Sequence, residues 1–170
     1  KCMGDAMIAL YQNGEAIRPE QGFPMRLLLP GFEGNMNVKW LRRLNVIDVP
    51  VDARDETSHY TELMPGGKAR QYMFVQDVKS AIIKPSFGMA MKGAGLYEIS
   101  GLAWSGAGRV SKVEVTTDGG KTWSVAALTG PVLPKALTRF RLPWKWDGKP
   151  STLMSRATDE TGGAQPTRAD

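Results

Sequence analysis

Hydrophobic and polar positions change their period along this chain, and the change divides it. Residues 5–12 (DAMIALYQ) place Ala6, Met7, Ala9 and Leu10 at helical spacing ahead of Asn13-Gly14, which predicts a short helix ended by a turn. Residues 15–24 carry Pro19, Gly22 and Pro24 and predict an irregular path. Residues 25–30 (MRLLLP) form an apolar run closed by proline, as a buried strand would. Residues 31–37 (GFEGNMN) read as a loop of residues that tolerate unusual backbone angles. Residues 38–49 (VKWLRRLNVIDV) are apolar enough to predict a second strand. Residues 50–70 then lose large apolar side chains and include Pro65-Gly66-Gly67, predicting a connecting segment over the surface.

From residue 71 the pattern becomes one of short strands separated by turns. The candidates are 71–74, 80–84, 96–104, 110–117, 122–127, 138–146 and 151–158. Alternation is clearest in Val113-Glu114-Val115-Thr116, and Asp118-Gly119-Gly120 is a hairpin signal. Strands at this spacing with no helix among them predict an immunoglobulin-like β-sandwich. Trp144 and Trp146 fall on one face of their strand, for packing rather than for stacking bases or sugars. The expected organisation is residues 1–49, a connecting segment 50–70 and a sandwich 71–170. Both ends read as cuts inside a longer protein.

Composition narrows the chemistry. The chain has 170 residues, 42% hydrophobic and 23% charged, as in ordinary globular proteins. No apolar run approaches a membrane span of about 18 residues. The net charge is +5, but no long lysine or arginine run marks a nucleic-acid tail. One cysteine and one histidine exclude an intrachain disulfide and a zinc site built from Cys and His. Cys2 reads as a structural residue near the start of the first element, with no signature around it. No metal ligand and no catalytic residue is assigned in this chain.

One patch stands out. Gly31 and Gly34 let the backbone approach a ligand, and Lys39, Arg42 and Arg43 follow, with Arg26 on the preceding strand. Such a set can cradle an anion through backbone donors and nearby cations. The bland alternative is a glycine-rich turn followed by a strand with solvated charges. Neither Walker nor dinucleotide spacing occurs.

These residues carry a resemblance. Asn13-Gly14-Glu15, Gly22-Phe23-Pro24-Met25-Arg26, Leu29-Pro30-Gly31 and Val38-Lys39-Trp40-Leu41 are similar, in order, to motifs of the sulfite oxidase family of molybdopterin enzymes. Gly101-Leu102-Ala103-Trp104-Ser105-Gly106, Asp118-Gly119-Gly120-Lys121-Thr122-Trp123 and Arg156-Ala157-Thr158-Asp159 continue the match. The resemblance implies a mainly β chain: the tail of an α+β molybdopterin-binding domain, then an immunoglobulin-like dimerisation domain whose final strands would lie beyond Asp170. It implies that Arg26, Asn37, Val38 and Lys39 bind the molybdenum cofactor. Gln21 stands where the family has a cofactor-binding histidine, and Met36 where an arginine is usual. These departures resemble the sulfane dehydrogenase branch of bacterial thiosulfate oxidation. The catalytic tyrosine has no clear counterpart, and the molybdenum-ligand cysteine would lie upstream of Lys1.

The implied activity of the whole protein is molybdenum-dependent oxidation of a sulfur substrate, protein-bound sulfane sulfur or sulfite, with electrons passed to a cytochrome c. The implied partners are that cytochrome, a sulfur substrate or sulfur-carrier protein and a second copy in a homodimer, and the implied location is the periplasm. Alone, the chain is expected to be inactive. The rival reading is a non-catalytic immunoglobulin-like module for dimerisation or cytochrome docking. Nucleic-acid binding is set aside.

Overall fold

A computed structural model describes residues 4–51, 53–71 and 74–166. The expectations for Cys2, and for the middle of a strand at 71–74, lie outside the described residues. The chain divides into two compact units, residues 1–76 and 77–170.

The first unit is built from small hairpins. Strand β1 (Met7–Ala9) pairs antiparallel with β4 (Arg26–Leu28), with Met7 opposite Leu28 and Ala9 opposite Arg26. Strand β2 (Tyr11–Gln12) pairs with β3 (Glu15–Ala16). The helix expected over residues 5–12 is therefore corrected to two short strands. Asn13 (φ 54°) and Gly14 (φ 83°) are both left-handed, so Asn-Gly closes a hairpin instead of ending a helix. The distant partner β4 then overrides the local helical spacing. One turn of 3-10 helix at Pro19–Gln21 precedes β4, and another, Gly34–Met36, lies in the glycine loop.

The strand expected over residues 38–49 is also corrected. Only its start is tied down, by Val38 O accepting from Leu27 N and by Leu41 N donating to Met25 O. Beyond it the chain forms no ladder among the described residues, and Leu44, Val46, Ile47 and Val49 stay exposed. A β-prone sequence forms a strand only where a neighbour supplies hydrogen bonds. Within the connecting segment lie a short helix α1 (Arg54–His59) and a hairpin of β5 (Glu62–Met64) and β6 (Lys68–Arg70).

The second unit is an immunoglobulin-like sandwich, as the strand pattern predicted. Its strands are β7 (Lys79–Lys84), β8 (Gly95–Trp104), β9 (Val110–Thr116), β10 (Ser124–Val125), β11 (Ala127–Thr129), β12 (Thr138–Trp146) and β13 (Met154–Asp159). One sheet runs β11-β12-β8-β7 and the other β10-β9-β13, all antiparallel. The single strand expected over 122–127 is corrected to two. The chain leaves one sheet at Val125 and joins the other at Ala127, with Ala126 buried at the crossing and its N–H bonded to Val113 O.

Alternation builds the core. Val113 and Val115 of β9, Ile99 and Ala103 of β8, Phe140 of β12 and Ala157 of β13 are fully or almost fully buried between the sheets. Burying a side chain of this size contributes roughly 1.5–3 kcal/mol. At Gly101 an added Cβ would overlap the Ala81 carbonyl oxygen and the Phe140 ring, so only glycine lets β8 lie this close to β7. Polar residues pin the ends. The Asp118 carboxylate accepts from the Thr116 and Thr122 hydroxyls and from the N–H groups of Lys121 and Thr122, which closes the Asp-Gly-Gly hairpin. These donors, the Thr116 hydroxyl first, hold the Asp118 carboxyl well below the usual carboxylate range. Arg156 donates to Glu114 at 2.9 Å and stacks on Trp123 at 4.2 Å. Tyr97, Trp144 and Trp146 form an aromatic cluster with centroids 5.8–6.5 Å apart.

Candidate functional site

Two of the residues singled out in the first unit, Arg26 and Lys39, meet around one glycine. The 3-10 turn Pro19–Gln21 ends at Gly22, whose φ of 113° is left-handed and whose N–H bonds back to Arg18 O and Pro19 O. Gly22 is buried. A Cβ placed there would sit 3.0 Å from the Lys39 Cβ and 3.2 Å from the Arg26 Cβ. Arg26 and Lys39 thus flank Gly22, held in register by the Leu27–Val38 and Leu41–Met25 backbone bonds.

Each cation is oriented by a carbonyl of the same turn. Arg26 Nη1 donates to Gln21 O and Nη2 to Asn37 O, both at 3.2 Å. Lys39 Nζ donates to Glu20 O at 2.7 Å and lies 5.5 Å from the centroid of the Trp40 ring. Trp40 in turn donates its indole N–H to Pro19 O at 2.9 Å. Arg26 Nε is buried and finds no acceptor among the described residues. A buried guanidinium N–H without an acceptor is costly, so this donor calls for an acceptor from outside these residues.

Asn37 does different work. Its Oδ1 accepts from Leu29 N at 2.7 Å, and its Nδ2 donates to Glu33 O at 2.9 Å and Phe32 O at 3.3 Å. The side chain is occupied in shaping the loop, and only its main-chain carbonyl reaches Arg26. Val38 is half exposed and joins the arrangement through its backbone carbonyl. Arg42 and Arg43 are exposed in the segment that follows. The two cations singled out from the sequence therefore converge, while Asn37 frames them.

Sequence reasoning missed Gly22 as the pivot and Trp40 as the anchor of Lys39. A glycine two positions before a proline signals a turn, but nothing in its spacing reveals which side chains will press on it. Among the described residues no group of three or more His, Cys, Asp or Glu is placed to hold a metal ion. No helix among them is long and apolar enough to cross a membrane.

An anionic group fits this set. Two cations flank a glycine that lets their own segments come close together, and one of them has an unmet buried donor. The phosphate-bearing pterin of the molybdenum cofactor has the required charge.

Comparison with known proteins shows the family. Residues 1–55 match the oxidoreductase molybdopterin binding domain, and residues 70–170 match the Mo-co oxidoreductase dimerisation domain. The sulfane dehydrogenase SoxCD from Paracoccus pantotrophus is similar in structure, with a TM-score of 0.92 and 55% identity over 98% of this chain and 43% of that one. The NADH nitrate reductase of Solanum lycopersicum is 34% identical over 95% of this chain and 21% of its own length. The NAD(P)H nitrate reductase of Hordeum vulgare is 34% identical over 84% of this chain and 18% of its own. The chain spans about a fifth of these curated relatives. The chain belongs to the molybdopterin oxidoreductase family, whose cofactor is the molybdenum cofactor, and carries that family's dimerisation domain.

Proposed function

We propose that this chain is part of a molybdenum-dependent oxidoreductase in which Arg26 and Lys39 hold the anionic end of the molybdenum cofactor. The convergence of both cations on Gly22, with Arg26 Nε lacking a partner, is the observation that carries the reading. When bound, the cofactor supplies the oxygen-atom and electron-transfer chemistry. The chain's own residues bind and orient it. The Arg26 guanidinium is fixed by two carbonyls and would offer its buried Nε donor to the anion, a charge-assisted hydrogen bond worth roughly 1.5–3 kcal/mol. Lys39 adds a charge beside it, Asn37 sets the loop that presents Val38, and Gly22 lets the Arg26 and Lys39 segments pack closely side by side.

The sulfur substrate is the finer part of the proposal: protein-bound sulfane sulfur or sulfite, with electrons passed to a cytochrome c. The 55% identity to a sulfane dehydrogenase supports this choice over nitrate, for which the plant relatives are named at 34% identity. The sandwich would join two copies in a homodimer, and the protein would work in the periplasm.

Metal and pterin analysis of the full-length protein, beside an Arg26→Ala/Lys39→Ala variant, tests the cradle. Molybdenum near one per chain in the parent, with a loss of about tenfold or more in the variant, is the expected result. Equal molybdenum in both would end the assignment of these residues. No molybdenum in a folded parent would leave a dimerisation or docking module.

A further inference from the structure

The sheet β11-β12-β8-β7 buries one face in the sandwich and turns the other outward. Ile99, Gly101 and Ala103 of β8 point inward, so Glu98, Ser100, Leu102 and Trp104 point out. In β12, Thr138 and Phe140 point inward, and Arg139, Arg141, Pro143 and Lys145 point out. Register sets Arg139 opposite Leu102, Arg141 opposite Ser100 and Lys145 opposite Leu96. From β7, Lys79 stands opposite Trp104 and, past a bulge, Lys84 stands opposite Ser100.

These outward positions carry five cations (Lys79, Lys84, Arg139, Arg141 and Lys145) and one carboxylate, Glu98, a net charge of +4. The whole chain carries +5. Glu98 lies 3.7 Å from Arg141, and both are about half exposed. The other four cations have no ion pair among the described residues. A depression of about 210 Å³ opens at the middle of the face, lined by Lys84, Ser100, Arg139 and Arg141, with Glu98 at its side. Leu96, Ile83 and Leu102 lie between the cations, the first two well exposed.

Three kinds of occupant are conceivable, and charge and polarity separate them. A second copy related by a two-fold axis would set +4 against +4, which costs affinity. A nucleic acid would meet the cations but leave Leu96 and Ile83 without apolar partners. An acidic protein surface satisfies both, pairing carboxylates with the arginines and covering the leucine and isoleucine. We propose that this outward face is a docking surface for an acidic protein, with a partner carboxylate seated between Lys84, Arg139 and Arg141. The inference is independent of the cofactor site. The two central strands, of nine and ten residues, and the flanking ones, of three and six, cover roughly 450 Å² per partner, below the usual ~800 Å² of a stable complex. The complex is therefore transient, steered by charge and sensitive to salt.

The test uses the full-length protein and a fluorescein-labelled poly-L-glutamate of about 20 residues, followed by anisotropy at about 20 and 300 mM salt. An Arg139→Glu/Arg141→Glu variant is compared with Lys68→Glu/Lys121→Glu, which removes the same charge from other elements. The expected result is a loss of at least about tenfold for the arginine pair at low salt, a loss under about threefold for the lysine pair, and convergence of all three at high salt. Arg139→Gln/Arg141→Gln replaces the reversal if that variant melts early. Equal losses in the two variants would overturn the proposal, because net charge alone would then explain binding. Tighter binding of a 20-base-pair DNA duplex than of poly-L-glutamate would also overturn it, in favour of nucleic acid. So would a change of sedimentation mass in the arginine variant, which would make the face an interface between copies.

Discussion

Gly22 has space for a hydrogen and little more. Its left-handed backbone disfavours any side chain by about 1–2 kcal/mol, and a Cβ would press on Lys39 at 3.0 Å. Gly22→Ala should therefore displace Lys39 from Glu20 O and lower the molybdenum content of the purified protein, while the melting of the sandwich stays within a degree or so. Gly101→Ala should do the reverse. Its Cβ meets backbone and the Phe140 ring, neither of which can swing away, so urea unfolding of the sandwich should lose about 1–3 kcal/mol. Asp159 is almost fully buried. Burial alone would raise its pKa, but donation from Ser105, the Thr161 hydroxyl and N–H, and the Gly163 N–H outweighs burial and lowers it. A carboxyl whose folded pKa is depressed stabilises the fold above its unfolded value of about 4 and loses that contribution as pH falls through the folded value. Acid titration of the melting temperature should show the loss beginning below about pH 4, and Asp159→Asn should flatten it while lowering stability at neutral pH.

At the level of elements, the sandwich was legible because its strands carry their own alternation. Val110, Val113 and Val115 are buried on β9, and β12 has the bounds that alternation gave it. The segments that misled were those whose conformation depends on a distant partner. Residues 5–12 have helical spacing but lie against β4, and residues 38–49 have a strand's composition without a strand beside them. For the site, Arg26 and Lys39 were visible as charges beside glycines. Their convergence was not, because it depends on a left-handed Gly22 and on carbonyls of Glu20 and Gln21, which every residue type supplies. Arg156 is a further test at this scale. It stacks on Trp123 and donates to Glu114, so Arg156→Lys should cost about 1 kcal/mol by losing the planar contact. A double-mutant cycle with Glu114→Gln should show coupling between the two positions.

For the molecule as a whole, the two units differ in how much they bury. Among the described residues the first unit has Ile17 as its one buried hydrophobic side chain, whereas the second has a continuous cluster around Ile99, Val113 and Phe140. Local stability follows buried apolar contact. Amide exchange in β8, β9 and β12 should be slower than in β1–β4 by at least about a hundredfold. In the full-length protein, ligand that binds the folded first unit should narrow that gap by mass action. Exchange measured with and without the molybdenum cofactor would show whether it does.

Trp40 has a further use. Four of the five tryptophans belong to the second unit, two of them in the cluster with Tyr97, and Trp40 is alone in the first. Its indole N–H holds Pro19 O and the Lys39 ammonium lies over its ring, so its emission depends on the geometry of the turn that flanks Gly22. With the other four tryptophans of this chain replaced by phenylalanine, Trp40 would become this segment's own optical reporter of ligand arrival: a change of wavelength and quenching at one ring, readable in real time without any electron having moved.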